Sequence, residues 1–195
     1  MPEPEALARQ QIDACLIRAG WSVQDYRSMN LSAGAGIAVR EFPLKTGHAD
    51  YLLYANGKAI GVVEAKPEGY TLTGVETQSA KYVAGFPDTL PRWRMPLPFD
   101  YESTGTLTQF TNNLEPDARS RPVFSFHRPE ELVRLAALDR QLRENLRRMP
   151  PLDTGGLWEK QVKAIRNMEG SLADNRPRAL IQMVMGAGKT FTACN

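Results

Sequence analysis

The hydrophobic positions open with a stripe. Ala8, Ile12, Cys15, Leu16 and Ala19 recur at helical spacing, and Gly20 supplies a stop, so a helix is expected over 4–19. An Ala-Gly-rich turn at 33–36 leads into an apolar run from Ile37 to Phe42, which reads as a strand. Two further apolar runs within 48–66 flank Asn56-Gly57, the dipeptide best suited to a tight hairpin turn, and Pro67 closes the second of them. A helix follows at about 74–84, then a proline-rich loop at 87–98, then short strands at about 97–103, 106–111 and 122–126. One helix is expected from Pro129 to Arg148, with acids leading and arginines ending it, as the helix dipole prefers. Pro150-Pro-Leu-Asp-Thr-Gly-Gly156 cannot continue a helix and reads as a linker. Beyond it, an amphipathic helix begins near Gln161, and Arg178 to Met185 reads as a buried strand. No internal repeat is visible.

One polar pair interrupts this pattern. Alternation along the second hairpin strand puts Glu64 and Lys66 on one face and Ala65 on the other. Charges on an otherwise apolar strand are costly to desolvate unless paired or used. Asp50, on the first hairpin strand, is the natural third member. A plain two-residue loop at Asn56-Gly57 would set Asp50 opposite Val63 and turn Glu64 to the other side. A three-residue loop, Ala55-Asn56-Gly57, would make Glu64 a diagonal neighbour of Asp50 on the same face. Turn chemistry leaves both open. If the carboxylates act together, the three-residue loop or an equivalent bulge is required. Two carboxylates beside a lysine suit Mg²⁺-dependent phosphodiester hydrolysis, because Mg²⁺ takes one or two carboxylates and keeps several waters. A surface ion pair between Glu64 and Lys66 would account for the same spacing and would be worth little.

A second signal lies near residue 190. Gly186-Ala-Gly-Lys-Thr190 directly follows the expected strand and has the form of the end of a P-loop. Its glycines, Gly186 and Gly188, would let backbone N–H groups approach phosphate, with Lys189 on the β/γ oxygens and Thr190 on Mg²⁺. Met183 stands where the general pattern has its first glycine. No second strand carrying a Walker B acid and no arginine finger follows, so ATP hydrolysis by this chain itself is not expected.

Composition changes the picture little. The 195 residues suffice for one well-cored domain plus part of a second. A net charge of +2 is too small to argue for nucleic acid, so any DNA-binding surface must come from local clustering. Arg134, Arg140, Arg143, Arg147 and Arg148 form the densest cluster, which a solvated, well-capped helix would explain; Arg119 and Arg121 are a weaker one. Cys15 and Cys194 lie far apart, and His48 and His127 offer no zinc spacing. The chain start has neither the basic residues nor the apolar core of a signal peptide, and no run approaches membrane-spanning length, so a cytoplasmic protein is expected.

The string Asp50…Glu64-Ala-Lys66 resembles the PD-(D/E)xK nuclease motif, with Ala49 where the motif's name has proline. Gln78-Ser-Ala-Lys-Tyr82 looks like the QxxxY element of the RecB-like branch of those nucleases. The run from Arg40-Glu-Phe-Pro-Leu to Lys66, and Arg121-Pro-Val-Phe-Ser-Phe-His-Arg-Pro-Glu130, are similar to the N-terminal region of type I restriction enzyme R subunits. Gly186-Ala-Gly-Lys-Thr190 resembles the P-loop of superfamily 2 translocases, and Leu157-Trp-Glu-Lys-Gln161 their adenine-reading glutamine motif. The resemblance implies an α/β fold: a PD-(D/E)xK restriction-endonuclease-like core, a mixed sheet flanked by helices, over 1–149. A linker at 150–156 and the start of a RecA-like helicase domain at 157–195 would follow. It implies that Asp50, Glu64 and the Ala65 carbonyl hold Mg²⁺, that Lys66 assists catalysis, and that Gln78 and Tyr82 support the site. Asp13, on the first helix, is a further candidate near the metal. Gln161, Gly186, Gly188, Lys189 and Thr190 would bind ATP in the full-length protein. The implied function is non-sequence-specific cleavage of double-stranded DNA after translocation, with methyltransferase and specificity subunits supplying recognition. A degenerate nuclease fold that docks a translocase, and a free-standing defence or repair nuclease, are the alternative readings.

Overall fold

The structure is a computed structural model, and it describes residues 4–45, 47–72, 85–87, 89–174, 176 and 178–194. Two compact units emerge, one spanning Met1–Leu114 and Ala118–Leu138, the other Glu115–Asp117 and Asp139–Asn195.

The first unit is built on a seven-stranded mixed sheet in sequence order: β1 (Ser22–Asp25), β2 (Gly36–Leu44), β3 (Gly47–Ala55), β4 (Lys58–Ala65), β5 (Phe99–Ser103), β6 (Thr108–Asn112) and β7 (Arg121–Val123). β1 pairs parallel with β2, and β4 parallel with β5; every other neighbouring pair is antiparallel. The expected first helix is α1, Pro4–Arg18, and its stripe is real: Ala8, Ile12, Leu16 and Ala19 are all buried. It ends where Gly20 takes a left-handed φ of 90° and Trp21 N–H returns to the Leu16 carbonyl.

The sheet is covered on both sides. Ile12, Leu16, Trp21, Tyr51, Leu53, Ile60, Val63, Tyr101 and, from α2 (Pro129–Ala136), Leu132 form one apolar cluster. Ile37, Val39, Leu52, Tyr54, Ala59, Val62, Phe86 and Leu97 form the other. Each fully buried large side chain contributes about 1.5–3 kcal/mol, which is why the central strand β3 reads as a continuous apolar run from Tyr51 to Ala55.

Two expectations need correction, and one strand was not foreseen. The arginine-rich stretch is not one helix: α2 stops at Ala136, and α3 (Leu142–Leu146) restarts after Gln141, whose backbone is extended at φ −79°, ψ 162°. The break falls at the junction of the two compact units, so packing within each unit decides where the helices end. The second unit contains α4 (Glu159–Ala173), as expected, and the short α5 (Lys189–Cys194). Residues 178–185 form no strand there, and Leu180, Val184 and Met185 are exposed. A strand needs partners for its backbone groups, and no described residue pairs with this one. The start of a RecA-like sheet is therefore not seen. Finally, β1 was not legible at all, because four residues of mixed polarity carry no alternation signal. The expected helix at 74–84, carrying Gln78 and Tyr82, lies outside the described residues.

Candidate active site

The hairpin turn is a two-residue loop. Asn56 and Gly57 have φ of 51° and 72°, the double left-handed geometry of a type I′ turn, and Ala55 pairs with Lys58. The three-residue loop is thus not formed, and the equivalent bulge is. Tyr54 pairs with Ala59 but Leu53 pairs with Gly61, leaving Ile60 as the extra residue. Its effect on the faces is plain. Ile60 and Val63 both enter the cluster under α1, while Ala59 and Val62 both enter the opposite one. Strict alternation cannot place residues three apart on one face. The bulge turns Glu64 to the second face, and one step beyond the Tyr51–Val63 pair brings Asp50 level with it.

There the β3–β4 pairing gives way to a side chain. Asp50 Oδ2 accepts the Ala65 backbone N–H at 2.9 Å, and its Oδ1 lies 2.6 Å from Arg9 Nη2. Arg9 also reaches Glu41 Oε1 at 3.1 Å through Nη1, so one guanidinium bridges two carboxylates. Glu41 interrupts the β2–β3 register opposite Asp50 and holds a left-handed φ of 49°, a strained setting for a non-glycine residue. Lys66 Nζ sits 3.0 Å from Glu64 Oε1. Both side chains are about one-fifth exposed, at 20% and 19%, so this is a half-buried pair rather than a solvated surface bridge.

The electrostatics agree with the geometry. Burial pushes the Asp50 carboxyl above its ordinary range, and the neighbouring Glu64 charge adds to that; the Ala65 N–H and Arg9 pull it back only in part. Burial alone would lower Lys66, but the hydrogen bond it donates to Glu64 and the charges of Glu64 and Glu102 outweigh it, leaving the ammonium raised.

Glu102 is a residue the sequence reading missed. β5 lies parallel to β4 with Glu64 beside Glu102, and Phe99 and Tyr101 point into the α1-side cluster, so Glu102 shares the Glu64 face. It is 6% exposed, and desolvation raises its carboxyl above the ordinary range. The signal was present in Phe99-Asp-Tyr-Glu-Ser103, where acids alternate with aromatics. Arg9 had no local signal, since a polar helix position declares nothing about what crosses it.

Asp13 has a different task from the one the resemblance suggested. Arg40 grips it with Nε at 3.1 Å from Oδ1 and Nη2 at 2.6 Å from Oδ2, and Tyr51 Oη stands 2.9 Å from Oδ1. It ties α1 to β2 and β3 and is spent on that. The arginine cluster is likewise spent: Arg134 pairs with Glu131, Arg140 and Arg148 with Glu144, and Arg147 with Asp117. An open cleft of about 830 Å³, lined by Arg9, Arg27, Arg40, His48, Glu41 and Asp50 among others, leads to Asp50.

The residues present fit a hard divalent cation. Asp50, Glu64 and the Ala65 carbonyl are an all-oxygen set, and Glu64 lies close enough to raise the proton affinity of Asp50, a repulsion that a cation relieves. Among the described residues no cluster of three or more acidic, histidine or cysteine side chains is poised to hold a metal, so two carboxylates with a backbone carbonyl are the set these residues offer. Mg²⁺ needs no more.

In the second unit, Gly186 and Gly188 adopt φ of 79° and 71°, and Gln161 is buried rather than at the surface. Gln161 accepts the Trp158 N–H at 2.8 Å and donates to the Ala187 carbonyl at 3.1 Å, linking the start of α4 to the glycine turn. Lys189 Nζ donates to the Val184 carbonyl at 3.3 Å, and Thr190 is exposed. No helix among the described residues is long and apolar enough to cross a membrane.

The comparisons with known proteins include the strands that carry Asp50 and Glu64. A family model described as "Type I restriction enzyme EcoKI endonuclease subunit second domain" matches residues 25–103, which include Asp50, Glu64, Lys66 and Glu102. The chain is similar to the type I restriction enzyme EcoKI endonuclease subunit of Escherichia coli (strain K12), at 27% identity over 241 residues, covering 97% of this chain and 20% of that protein. The chain thus spans about a fifth of the length of this curated relative. A solved fragment of a protein assigned as an HsdR subunit of a type I restriction enzyme from Vibrio vulnificus YJ016 aligns with a TM-score of 0.49 and 23% identity, over 97% of this chain and 36% of that one. The family model falls on the strands around Asp50 and Glu64, and over this region the chain is similar to type I restriction enzyme endonuclease subunits.

Proposed function

We propose that this chain carries the Mg²⁺-dependent, non-sequence-specific DNA endonuclease site of an ATP-dependent type I restriction R subunit. One observation carries the reading: the Ile60 bulge and the Asp50–Ala65 hydrogen bond bring Asp50, Glu64 and Lys66 to one place on the sheet. Asp50, Glu64 and the Ala65 carbonyl would hold the cation. Bound there, Mg²⁺ would supply Lewis-acid polarisation of the scissile phosphate and a more acidic water. Lys66, kept charged by its carboxylate neighbours, would donate hydrogen bonds to the phosphate oxygens as negative charge builds. Ala65 is itself packed in the apolar cluster under α1. Gln78 and Tyr82 would support the site. Duplex DNA would be the substrate, and methyltransferase and specificity subunits would supply sequence recognition. In the full-length protein, Gln161, Gly186, Gly188, Lys189 and Thr190 would bind ATP.

The test is nicking of supercoiled plasmid in Mg²⁺ or Mn²⁺ by the parent chain, beside Lys66→Ala. Cleavage by the parent and a loss of about 100-fold or more in the variant, the scale of a transition-state charge contact, is the expected result. Equal cleavage by both would move the site elsewhere. If the parent proves inert, the same comparison in the assembled complex with ATP decides, and equal rates there would end the nuclease reading.

A further inference from the structure

Glu102 is buried, charged and without a hydrogen-bond donor among the described residues. Burial disfavours its charged form, and the nearby Lys66 charge offsets that cost only in part. β4 and β5 run parallel with Glu64 beside Glu102, and neighbouring strands stand about 4.8 Å apart. Two like charges therefore share one face, and Lys66, on the same stretch of chain, is hydrogen-bonded to only one of them, Glu64 at 3.0 Å. The Lys66 backbone is itself tied to β5, its N–H donating to the Ser103 carbonyl at 2.8 Å, so its side chain starts beside both carboxylates.

Consider what happens when Glu64 is taken up by a divalent cation. Its negative charge is then spent, and the cation repels the neighbouring ammonium. Lys66 is only 20% exposed and would be left without a counter-ion. Beside Glu64 on that face stands Glu102, whose carboxylate accepts no hydrogen bond from a described residue. We propose that Glu102 is a positioning residue that receives the Lys66 ammonium when Glu64 is engaged by a divalent cation, so that Lys66 exchanges one carboxylate for the other and stays at the site. This rests on the nuclease reading above. The influence of both Glu64 and Glu102 on the Lys66 ammonium is consistent with a side chain lying between them.

The test uses the full chain with Ca²⁺ as a cation that binds without promoting cleavage. In crystals of the Ca²⁺-bound protein, Lys66 Nζ should lie about 2.8 Å from a Glu102 oxygen, as a charge-assisted hydrogen bond requires, with Glu64 on the ion. By calorimetry, Glu102→Gln should bind Ca²⁺ within about twofold of the parent, whereas its cleavage rate at saturating DNA should fall about tenfold, with Glu102→Asp recovering part of it. Lys66 remaining on Glu64, Glu102 sitting on the ion, a Ca²⁺ affinity weakened about tenfold in Glu102→Gln, or unchanged cleavage would each overturn the proposal. Failure of the parent chain to bind Ca²⁺ at all is a separate result, which removes the cation site itself and the proposal with it.

Discussion

Arg9 Nη2 lies 2.6 Å from Asp50 Oδ1, so a guanidinium already holds one oxygen of the carboxylate that the proposed site would offer to a cation. Arg9 is one helical turn before Asp13, and the two project from α1 onto β3 and β2 respectively, through Asp50 and Arg40. The guanidinium and a divalent ion compete for the same lone pairs. Arg9→Gln should therefore tighten Ca²⁺ or Mn²⁺ binding by about tenfold, the scale of one charge-assisted hydrogen bond in a half-exposed setting. Calorimetry on the two proteins reads this directly. Weaker binding in the variant would mean instead that Arg9 holds Asp50 in its binding pose.

Asp50 itself costs the fold something. Its carboxyl is raised above the ordinary 3.8, first by burial, so its contribution to stability is fully present below the unfolded value and is lost as pH rises through the folded one. It is the charged form that burial disfavours. Asp50→Asn should raise the melting temperature at pH 7 by a few degrees, the shift expected of about 1 kcal/mol in a chain of this size. A lower melting temperature would show that the Arg9 ion pair outweighs the desolvation.

His127 predicts a pH dependence of the opposite sign. Its ring packs at a tilt against Tyr101 and Phe110, with Nδ1 2.7 Å from Tyr101 Oη, and burial lowers its basicity below the usual 6.5. A depressed histidine contributes stability above its unfolded value that is lost as pH falls through the folded one. Urea unfolding should thus show a drop in stability from pH 7.5 to about 5.5, and His127→Gln should show a smaller drop over the same window. An identical slope in the variant would assign the pH dependence to other groups.

Gly61 marks the closest approach of β4 to β5. A methyl group there would stand 2.5 Å from the Phe99 carbonyl oxygen and 3.2 Å from Phe99 Cβ, so the two strands could not keep their register. Gly61→Ala should cost about 1–3 kcal/mol in urea unfolding, the range for overpacking a close-packed interior. Because the same register sets Glu102 beside Glu64, cleavage should fall too. A variant as stable as the parent would show that β5 can shift without loss.

What could be read from the sequence was whatever a few consecutive residues decide between themselves. The stripe of Ala8, Ile12 and Leu16 specified α1, because helical spacing alone makes a buried face. Asn56-Gly57 specified the hairpin, since few other pairs tolerate two left-handed residues in succession. Alternation set Glu64 against Ala65. Whether Asp50 and Glu64 meet was not local. It depends on the bulge at Ile60, and that extra residue is held by two apolar clusters claiming Ala59 and Val62 on one face and Ile60 and Val63 on the other. The same reason hid Glu102 and Arg9, whose partners arrive from strands and helices distant in the chain. Packing also broke the continuous arginine helix, and the strand at 178–185 did not form where no described residue supplies a partner. Local pattern decides which elements can form, because backbone geometry and side-chain period are properties of neighbours in sequence. Which charges share a face was decided only by packing, because a single inserted residue reverses every side chain that follows it.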